Sequence, residues 1–437
     1  TKEVSHIIDK FQKTFESYWQ DKEFETFHKE LHTDKLKIAL KKEKTSDKNN
    51  YAAYFEIKPY PFQVEILEKL EVERKHHKRF KNLIVAATGT GKTVISGFDF
   101  KNFLKFNPSA KLLFVAHRKE ILQQAQTTFQ GILKNNNFGE LWVDGIEPEK
   151  YDCLFASVQT LNNRIDSLTL SATYFDFIII DEVHHIAANS YRPILNRFNP
   201  KILVGLTATP ERNDNEDILK DFCNTIAAEI RLPEALNRKL LCPFQYFGVT
   251  DSVDLSKAAW KNGKYLPSEL TKIYTQNDNR VGEVIASLNN YLNDINDVRA
   301  LCFCITQEHA EFMAEKFRLV GLKADYLVSS RNESREEIRK DFQAKKINYL
   351  FVVDIFNEGV DIPEIDTILF LRPTESLTIF LQQLGRGLRL SEGKDYLTVL
   401  DFVGNSRPEY DYEGKLRALV GKTNTSIQKE TEDNFPH

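Results

Sequence analysis

The sequence predicts an α/β fold in which two doubly wound parallel sheets follow one another along the chain, preceded by a helical segment. The chain has 437 residues, which is too long for one ordinary core. Short apolar runs alternate with longer helical patterns, and this alternation pauses near residue 233 and resumes near residue 280. Runs that are apolar throughout are typical of strands buried on both faces, as in parallel sheets.

The apolar runs supply the predicted strands. Those of the first sheet are 83–86, 112–116, 153–157, 177–180 and 202–206. Those of the second sheet are 300–305, 349–353, 367–371 and 396–400. We therefore assign residues 51–232 and 280–407 to two domains, residues 233–279 to a connector, and residues 408–437 to a polar, partly helical tail.

Residues 1–50 form a separate segment with a helical pattern. Apolar residues recur in it at intervals of three or four: Ile8, Phe11, Phe15 and Trp19. Such a stripe is typical of a helix that packs one face on a neighbouring surface. The stretch 41–50 is polar and indicates a linker.

The composition is that of a soluble globular protein, with 41% hydrophobic and 28% charged residues. A net charge of −4 argues against a histone-like binder, but it allows a local groove that grips phosphates. No apolar run is long enough to span a membrane, and the first residues lack a signal-peptide pattern. The five cysteines have no zinc-site spacing, so we expect reduced, mostly buried thiols in a cytoplasmic protein, with Cys302 and Cys304 on one face of a strand.

A glycine-rich turn, residues 86–93, follows the first predicted strand and precedes a helical pattern. Backbone N–H groups in such a turn curl round phosphate oxygens, and the next helix presents its positive end to the same anion. The residues that we expect to bind a nucleotide phosphate here are Thr88, Gly89, Thr90, Gly91, Lys92 and Thr93. Lys92 would contact the β- and γ-phosphates, and the Thr93 hydroxyl would bind Mg²⁺.

An acidic pair, Asp181 and Glu182, comes directly after the predicted strand 177–180. This places two carboxylates at the carboxyl end of a buried strand, where parallel sheets carry their sites. We expect Asp181 to hold Mg²⁺ and Glu182 to orient and deprotonate the attacking water. For His184, a coupling role and an ordinary hydrogen-bonded histidine both remain open.

Taken together and in this order, the motifs resemble those of superfamily 2 helicases of the DEAD/DEAH type, in the branch that includes the helicase subunits of type I and III restriction enzymes. The resemblance covers about residues 55–403. It implies two RecA-like domains that hydrolyse ATP in the cleft between them and move along DNA, with RNA as an alternative. One departure is Ala86, which occupies the position of the first glycine of the phosphate loop.

The resemblance also assigns roles to further residues. Gln63 matches the glutamine that reads adenine, a task for which a side-chain amide can donate and accept at once. Thr207 and Thr209 match the motif that couples hydrolysis to domain movement, where their hydroxyls can bond to the acidic pair. Gly359 and Asp361 match the nucleotide contacts of the second domain.

The stretch 382–389 resembles the arginine-finger motif. Gln382 would take part in coupling, and Arg386 and Arg389 would reach the γ-phosphate. The two arginines lie three residues apart, which predicts that they share one face of a helix. A guanidinium brought to the γ-phosphate stabilises charge in the transition state.

Polar residues after several strands resemble those that hold the sugar-phosphate backbone of nucleic acid: His117, Arg118, Ser157, Gln159, Thr160, Thr306 and His309. Hydroxyls, arginine and backbone N–H groups suit such contacts without reading bases. One departure is Val353, which stands where the family usually has a phosphate-contacting threonine.

Residues 232–251 and 401–421 resemble a bacterial helicase family whose members often carry a phospholipase-D-like nuclease upstream. We therefore expect this chain to be a fragment, with a nuclease domain as a partner in the full-length protein. Three alternatives to an unwinding enzyme stay open: a duplex translocase that does not separate strands, an RNA helicase, and a nucleotide-gated recruitment platform. The sequence leaves the oligomeric state open.

Overall fold

The computed structural model describes residues 57–183, 191–209, 218–261, 263–328, 335–353, 362–374, 376–407, 410 and 412–420. The predicted helical segment of residues 1–50 and most of the predicted tail lie outside these residues. The first lobe contains α1 (Pro61–Lys75), β1 (Lys81–Ala86), α2 (Lys92–Leu104), β2 (Leu112–Ala116), α3 (Lys119–Leu133), β3 (Glu140–Trp142), β4 (Cys153–Ser157), α4 (Val158–Arg164), β5 (Phe177–Ile180), α5 (Arg192–Arg197), β6 (Ile202–Thr207), β7 (Ile226–Ile230) and α6 (Leu232–Asn237).

The second lobe follows directly. Its elements are β8 (Phe244–Asp254), β9 (Trp260–Lys261), β10 (Lys264–Tyr265), α7 (Pro267–Thr275), α8 (Asp278–Tyr291), β11 (Ala300–Phe303), α9 (Gln307–Leu319), β12 (Ala324–Leu327), α10 (Arg335–Gln343), β13 (Tyr349–Val352), β14 (Thr367–Phe370), α11 (Leu377–Gly387), β15 (Leu397–Asn405) and α12 (Tyr412–Val420).

Two parallel sheets form the frame, which confirms the predicted fold class. The first sheet has seven strands in the order β3-β4-β2-β5-β6-β1-β7, and the second has six in the order β12-β13-β11-β14-β15-β8. Every strand pair within these two sheets is parallel. Parallel neighbours need crossover connections, so the carboxyl ends of the strands meet at one edge of each sheet.

Each central strand is buried on both faces. In β1, Ile84 and Ala86 pack in one apolar cluster, whereas Leu83 and Val85 pack in a second cluster on the opposite face. This explains why the strand is apolar throughout instead of alternating. The second sheet is covered in the same way.

The sheet of the second lobe begins earlier in the chain than the sequence suggested. Strand β8 lies inside the predicted connector, residues 233–279, yet it pairs with β15 along the edge of the second sheet. Its buried and exposed residues alternate towards its C-terminal end, so it contains no continuous apolar run. From the predicted tail, the helix α12 packs against α11 of the second lobe and α6 of the first.

The five cysteines differ in their burial. Cys302 and Cys304 lie in the same apolar cluster, which confirms that they share a face, and burial raises the pKa of the Cys304 thiol to about 12. Cys242 is also buried, whereas Cys153 is half-buried and Cys223 is exposed. None of the helices in the described ranges combines the length and the apolar composition needed to cross a membrane.

A fully buried ion pair connects three elements of the second lobe. Arg280 Nε donates to Asp251 Oδ2 at 2.6 Å, and both side chains are 1% exposed. Arg280 Nη2 donates to Leu371 O at 3.0 Å, and the guanidinium lies 3.9 Å from the ring centre of Tyr274. The pair therefore ties β8, α8 and the end of β14 together.

We expect Arg280→Met to lower the free energy of unfolding by about 3–5 kcal/mol, because the Asp251 carboxylate would stay buried without its cation. Urea unfolding followed by circular dichroism measures this change. Arg318→Met is the matched control, since it breaks a surface pair with Asp325 and should cost no more than about 1 kcal/mol. Equal losses in the two variants would contradict the prediction.

Candidate functional site

Most of the residues singled out in the first lobe lie at one edge of its sheet. The phosphate loop, residues 86–93, joins β1 to α2, and the acidic pair follows β5. His117 and Arg118 follow β2, and Thr207 is the last residue of β6. Because all these strands are parallel, their carboxyl ends bring the residues to the same side of the lobe.

Two glycines shape the phosphate loop. Gly89 has φ of +92° and Gly91 has φ of +81°, a left-handed conformation that glycine adopts without strain. Thr90 Oγ1 donates to Ala87 O at 2.7 Å and closes the turn between them. A Cβ on Gly91 would lie 2.8 Å from Gln63 Nε2, so the loop and Gln63 are in close contact.

Gln63 is fixed against this loop from α1. Its side chain is buried; Nε2 donates to Thr90 O at 3.1 Å, and Oε1 accepts from the Tyr60 backbone N–H at 3.0 Å. A side-chain amide has two N–H donors and two acceptor lone pairs, so these bonds do not exhaust it. The predicted adenine contact is therefore compatible with this position. The same side chain also holds the Thr90 carbonyl of the loop.

Lys92 and Glu182, which are far apart in the sequence, lie side by side. Lys92 Nζ is 3.6 Å from Glu182 Oε1, and the two side chains are 11% and 15% exposed. Lys92 Nζ also donates to Ala86 O at 3.4 Å. Glu182 has φ of +51°, and a left-handed conformation costs a residue other than glycine about 1–3 kcal/mol. The structure thus places a residue with a strained backbone beside the loop lysine.

The other acidic residue, Asp181, is buried at the end of β5. Its Oδ1 accepts from the Glu182 backbone N–H at 3.0 Å, and its own N–H donates to Val115 O at 2.9 Å. The Tyr191 hydroxyl donates to Asp181 O at 3.2 Å. These bonds fix the backbone of the acidic pair.

Thr93 and Asp181 supply a hydroxyl and a carboxylate at this edge of the sheet, and oxygen ligands of this kind are those that Mg²⁺ prefers. Thr93 is half-buried near the start of α2, and Asp181 is buried. Across the described ranges, no three His, Cys, Asp or Glu side chains are grouped as metal ligands. A magnesium ion held by Thr93 and Asp181 would take its remaining ligands from nucleotide phosphates and water.

The second lobe meets the phosphate loop through the C-terminal end of α11. A Cβ on Gly385 would lie 2.4 Å from Thr88 Cβ, which shows how closely the two lobes approach. Arg389 Cγ and Leu241 Cδ2 lie 3.6 Å and 3.1 Å from the position of a Cβ on Gly89. The residues 386–389, which we call the arginine segment, therefore follow Gly385 at the loop and end at Arg389 beside it.

The two arginines do not share a helical face, so that part of the prediction is wrong. Helix α11 ends at Gly387, which places Arg386 in its last turn and Arg389 beyond it. Gly387 is packed tightly at this helix end, because a Cβ there would lie 2.5 Å from Leu397 Cδ1 and 3.0 Å from Ile368 Cδ1. Both arginines are half-buried, and burial lowers the pKa of the Arg389 guanidinium from its usual value.

We expect Gly385→Ala to weaken closure of the cleft, because the added methyl group would overlap Thr88 and push α11 away from the loop. A displacement near 1 Å can cost about 100-fold in turnover, so we expect a loss of about 10- to 100-fold in ATP hydrolysis. Steady-state ATPase assays measure the loss. Gly282→Ala in helix α8 is the control, since a Cβ there meets nothing within 4 Å and turnover should not change. Unchanged turnover in Gly385→Ala would show that close approach is unnecessary.

The predicted coupling residues make a direct connection between the lobes. Thr209 Oγ1 lies 3.0 Å from Thr378 Oγ1, which is at the start of α11. Thr207 Oγ1 donates to Thr209 O at 2.9 Å and accepts from the Thr209 backbone N–H at 3.2 Å. Gln382 is buried in the same helix. The two ends of α11 therefore contact different parts of the first lobe.

Three predicted residues, His184, Gly359 and Asp361, lie outside the described residues. Of the predicted nucleic-acid contacts, Gln159 is exposed, and His117 and Arg118 are half-buried. Ser157 and Thr160 bond to each other as the N-cap of α4: Ser157 Oγ donates to Thr160 Oγ1 at 2.8 Å and accepts from the Thr160 backbone N–H at 3.1 Å. Both hydroxyls therefore take part in hydrogen bonds that stabilise the start of α4.

His309 does not fit its predicted contact with nucleic acid. Its side chain is completely buried and stacks on Tyr274, with 5.2 Å between the ring centres. Its Nδ1 accepts from the Ile305 backbone N–H at 3.4 Å, and burial holds the histidine pKa well below its usual value. Thr306 is the N-cap of α9, and its hydroxyl lies 2.9 Å from that of Thr271. His309 therefore supports the loop from inside and does not touch a ligand on the surface.

Sequence reasoning missed Thr378 and Gly385 as parts of the site. Gly385 lies within the motif 382–389, and its position between the glutamine and the arginines was the available signal. No sequence pattern indicated a role for Thr378, because its partner Thr209 is 169 residues away along the chain.

A phosphate loop, an adjoining acidic pair and a second parallel lobe with arginines beside the loop form an arrangement typical of two-lobed nucleoside-triphosphatases. Residues 56–212 match the family described as "Type III restriction enzyme, res subunit", and residues 283–391 match "Helicase conserved C-terminal domain". The chain belongs to the superfamily 2 helicases, in the branch that includes restriction-enzyme helicase subunits.

Known proteins agree with this placement. A Saccharomyces cerevisiae protein named as an ATP-dependent helicase, IRC3, is 33% identical over 343 residues, which are 73% of this chain and 48% of that protein. A Schizosaccharomyces pombe protein named as a mitochondrial ATP-dependent helicase, irc3, is 31% identical over 369 residues, which are 81% of this chain and 58% of that protein. The chain thus spans about half the length of these curated relatives.

A solved structure shows the same fold. The ATP-dependent Type ISP restriction-modification enzyme LlaBIII bound to DNA aligns with a TM-score of 0.60 at 18% identity, over 84% of this chain and 29% of that chain. At this identity the likeness concerns the arrangement of sheets and helices alone.

Proposed function

We propose that the chain is an ATP-dependent motor that hydrolyses ATP between its two lobes and uses the change in their contact to move along, or unwind, DNA. The observation that carries this proposal is the close approach of Gly385 to Thr88 across the cleft. A nucleotide on the phosphate loop would lie beside the arginine segment, so its binding and loss would alter the fit of the lobes.

ATP binding would rearrange the contacts of the loop lysine. Lys92 now lies beside Glu182, and an arriving phosphate would compete for its ammonium group. Glu182 would then be able to orient the attacking water and take its proton. Mg²⁺ on Thr93 and Asp181 would supply positive charge to the phosphates.

The second lobe would complete the site. Arg386 and Arg389 would stabilise the negative charge that develops on the γ-phosphate. The bond between Thr209 and Thr378 would carry the change from the first lobe to the beginning of α11. Alternation between closed and open clefts would shift the two nucleic-acid-binding surfaces relative to one another.

DNA is the proposed track because residues 56–212 match a family of restriction-enzyme subunits. Arg118, His117 and Gln159 lie beyond the ends of neighbouring strands β2 and β4, where they could contact a phosphodiester backbone. Such contacts fix the position of the strand and do not read its sequence.

The test is an ATPase titration with single-stranded DNA, duplex DNA and RNA at one fixed salt concentration, because phosphate-driven affinity depends strongly on salt. We expect DNA to stimulate hydrolysis more than RNA does. Greater stimulation by RNA would show that RNA, and not DNA, is the track. If none of the three stimulates hydrolysis, the motor proposal is wrong and a recruitment platform is favoured. A forked-duplex assay beside a triplex-displacement assay then separates unwinding from translocation without strand separation.

Two further parts of the proposal concern the whole protein. We infer a cytoplasmic location from the cysteine usage, although the S. pombe relative has a mitochondrial name, and cell fractionation decides between these compartments. We also infer a nuclease domain in the full-length chain from the resemblance of residues 232–251 and 401–421. A native mass near 50.6 kDa would contradict that domain.

A further inference from the structure

A lysine beyond helix α11 holds the arginine segment in place. Lys394 Nζ donates to Arg389 O at 2.9 Å and to Gly387 O. The same ammonium group donates to Pro363 O at 3.1 Å. It therefore binds three backbone carbonyls from two stretches of the chain, and the site motifs did not include it.

These carbonyls belong to the parts of the second lobe that matter for the nucleotide. Gly387 is the last residue of α11, whose final carbonyls lack partners within the helix. A cation at a helix C-terminus satisfies such carbonyls and interacts well with the helix dipole. Pro363 comes two residues after Asp361, which the family resemblance assigns to the nucleotide.

Lys394 is positioned by its own turn, and the backbone beside it is held by a bond from Cys242. Gly393 has φ of +74°, and the Lys394 N–H donates to Ser391 O at 3.3 Å, which folds the chain back towards α11. On the other side, the Cys242 backbone N–H donates to Leu388 O at 2.7 Å. The carbonyls of 387, 388 and 389 are thus all bonded, which leaves the arginine segment little freedom.

We propose that Lys394 is a positioning residue for ATP hydrolysis: its ammonium group fixes the arginine segment and the loop at Pro363 as one unit, and so sets the approach of Arg389 to the phosphate loop. This inference rests on the proposed function. Arg389 Cγ lies 3.6 Å from the position of a Cβ on Gly89, so a small shift of the segment would move the guanidinium relative to a bound phosphate.

The surroundings of Lys394 make this role sensitive to pH. Burial lowers the pKa of Lys394 to about 8, an effect that Arg389 strengthens and that Cys242, Asp366 and Glu364 oppose. A protonated amine donates three hydrogen bonds and a neutral amine only two, so the three carbonyls are all bonded only below that pKa. Turnover should therefore be complete well below pH 8 and should decline as the pH rises through about 8.

The variant that tests the role is Lys394→Met, which keeps the stem and removes the charge. We expect DNA-stimulated turnover to fall about 10- to 100-fold while ATP affinity changes little, because the phosphate loop is untouched. Lys394→Arg should restore most of the turnover and extend it to higher pH, since a guanidinium stays charged. The control is Lys346→Met, whose amine pairs with Asp341 on the surface and which should behave as wild type.

A double variant shows whether Lys394 acts through the arginine. If it does, Lys394→Met should cost little in an Arg389→Lys background, because two residues that act as a unit are not additive. Full additivity of the two losses would contradict the inference, as would wild-type turnover of Lys394→Met.

Hydrogen exchange separates this inference from the proposed function, because it needs no activity. In Lys394→Met we expect faster exchange in residues 386–395 and no change in α9. If wild type shows no nucleic-acid-stimulated hydrolysis, the motor proposal fails, and exchange alone then decides on Lys394. Unchanged exchange would overturn the positioning role in either case.

Discussion

Glu182→Gln is expected to bind ATP and to hydrolyse it about 10²- to 10⁴-fold more slowly than wild type, the usual range for the loss of a general base. Glutamine has the same shape but cannot accept a proton from water. Lys92 Nζ lies 3.6 Å from Glu182 Oε1, a contact that depends on the charge of the carboxylate and that the neutral amide would weaken. Loss of a negative charge beside the phosphate site should leave ATP affinity unchanged or raise it.

Single-turnover hydrolysis with saturating DNA measures this effect, and equilibrium binding of a fluorescent ATP analogue measures affinity. Glu229→Gln is the matched control, because Glu229 is 49% exposed and pairs with Arg231 on the surface. Its hydrolysis rate should equal that of wild type. Normal turnover in Glu182→Gln would remove this carboxylate from the mechanism, and lost ATP binding would show that the variant disturbs the strained backbone at that position.

Arg389→Lys is expected to lower turnover about 10³-fold or more, which is the usual contribution of an arginine brought to a γ-phosphate. Lysine keeps the charge but loses the planar fork that bonds to two oxygens at once. The backbone carbonyl of Arg389 is held by Lys394, and the side chain begins beside Gly89, so the shorter reach of an ammonium group cannot be corrected by movement of the segment.

The expected pattern is a lower kcat with nearly unchanged ATP affinity, because the arginine stabilises the transition state more than the bound substrate. Arg417→Lys is the control: Arg417 pairs with Glu413 on the exposed side of α12. Full turnover in Arg389→Lys would show that Arg389 does not stabilise the charge on the γ-phosphate. Arg386 would then be the candidate for that role.

The position of a strand in its sheet decided whether the sequence predicted it. Every strand that the sequence reading found is internal to its sheet, with neighbours on both sides. The strands that it missed in the two large sheets are the edges: β3, β7, β8 and β12. An edge strand is partly exposed, so it carries polar residues and shows no continuous apolar run.

In the candidate site, too, some residues could be placed from the sequence and others could not. Lys92, Asp181 and Glu182 could be predicted because each occupies a fixed position relative to a strand end, and parallel strands bring those ends together. The placement of His309 could not, since an N-terminal histidine of a helix looks the same in sequence whether it faces solvent or the core. Only the packing of Tyr274 over its ring shows that it is buried.

By itself, the sequence determined the class of fold, the order of the two lobes and which residues are expected around a nucleotide phosphate. These follow from local patterns, because hydrophobic periodicity and turn composition act over short stretches of chain. Only the tertiary structure decided that Gly385 lies against Thr88, that Thr378 bonds to Thr209, and that Lys394 bonds to Pro363. Such distances depend on how whole sheets and helices pack, and no short stretch of sequence contains that information.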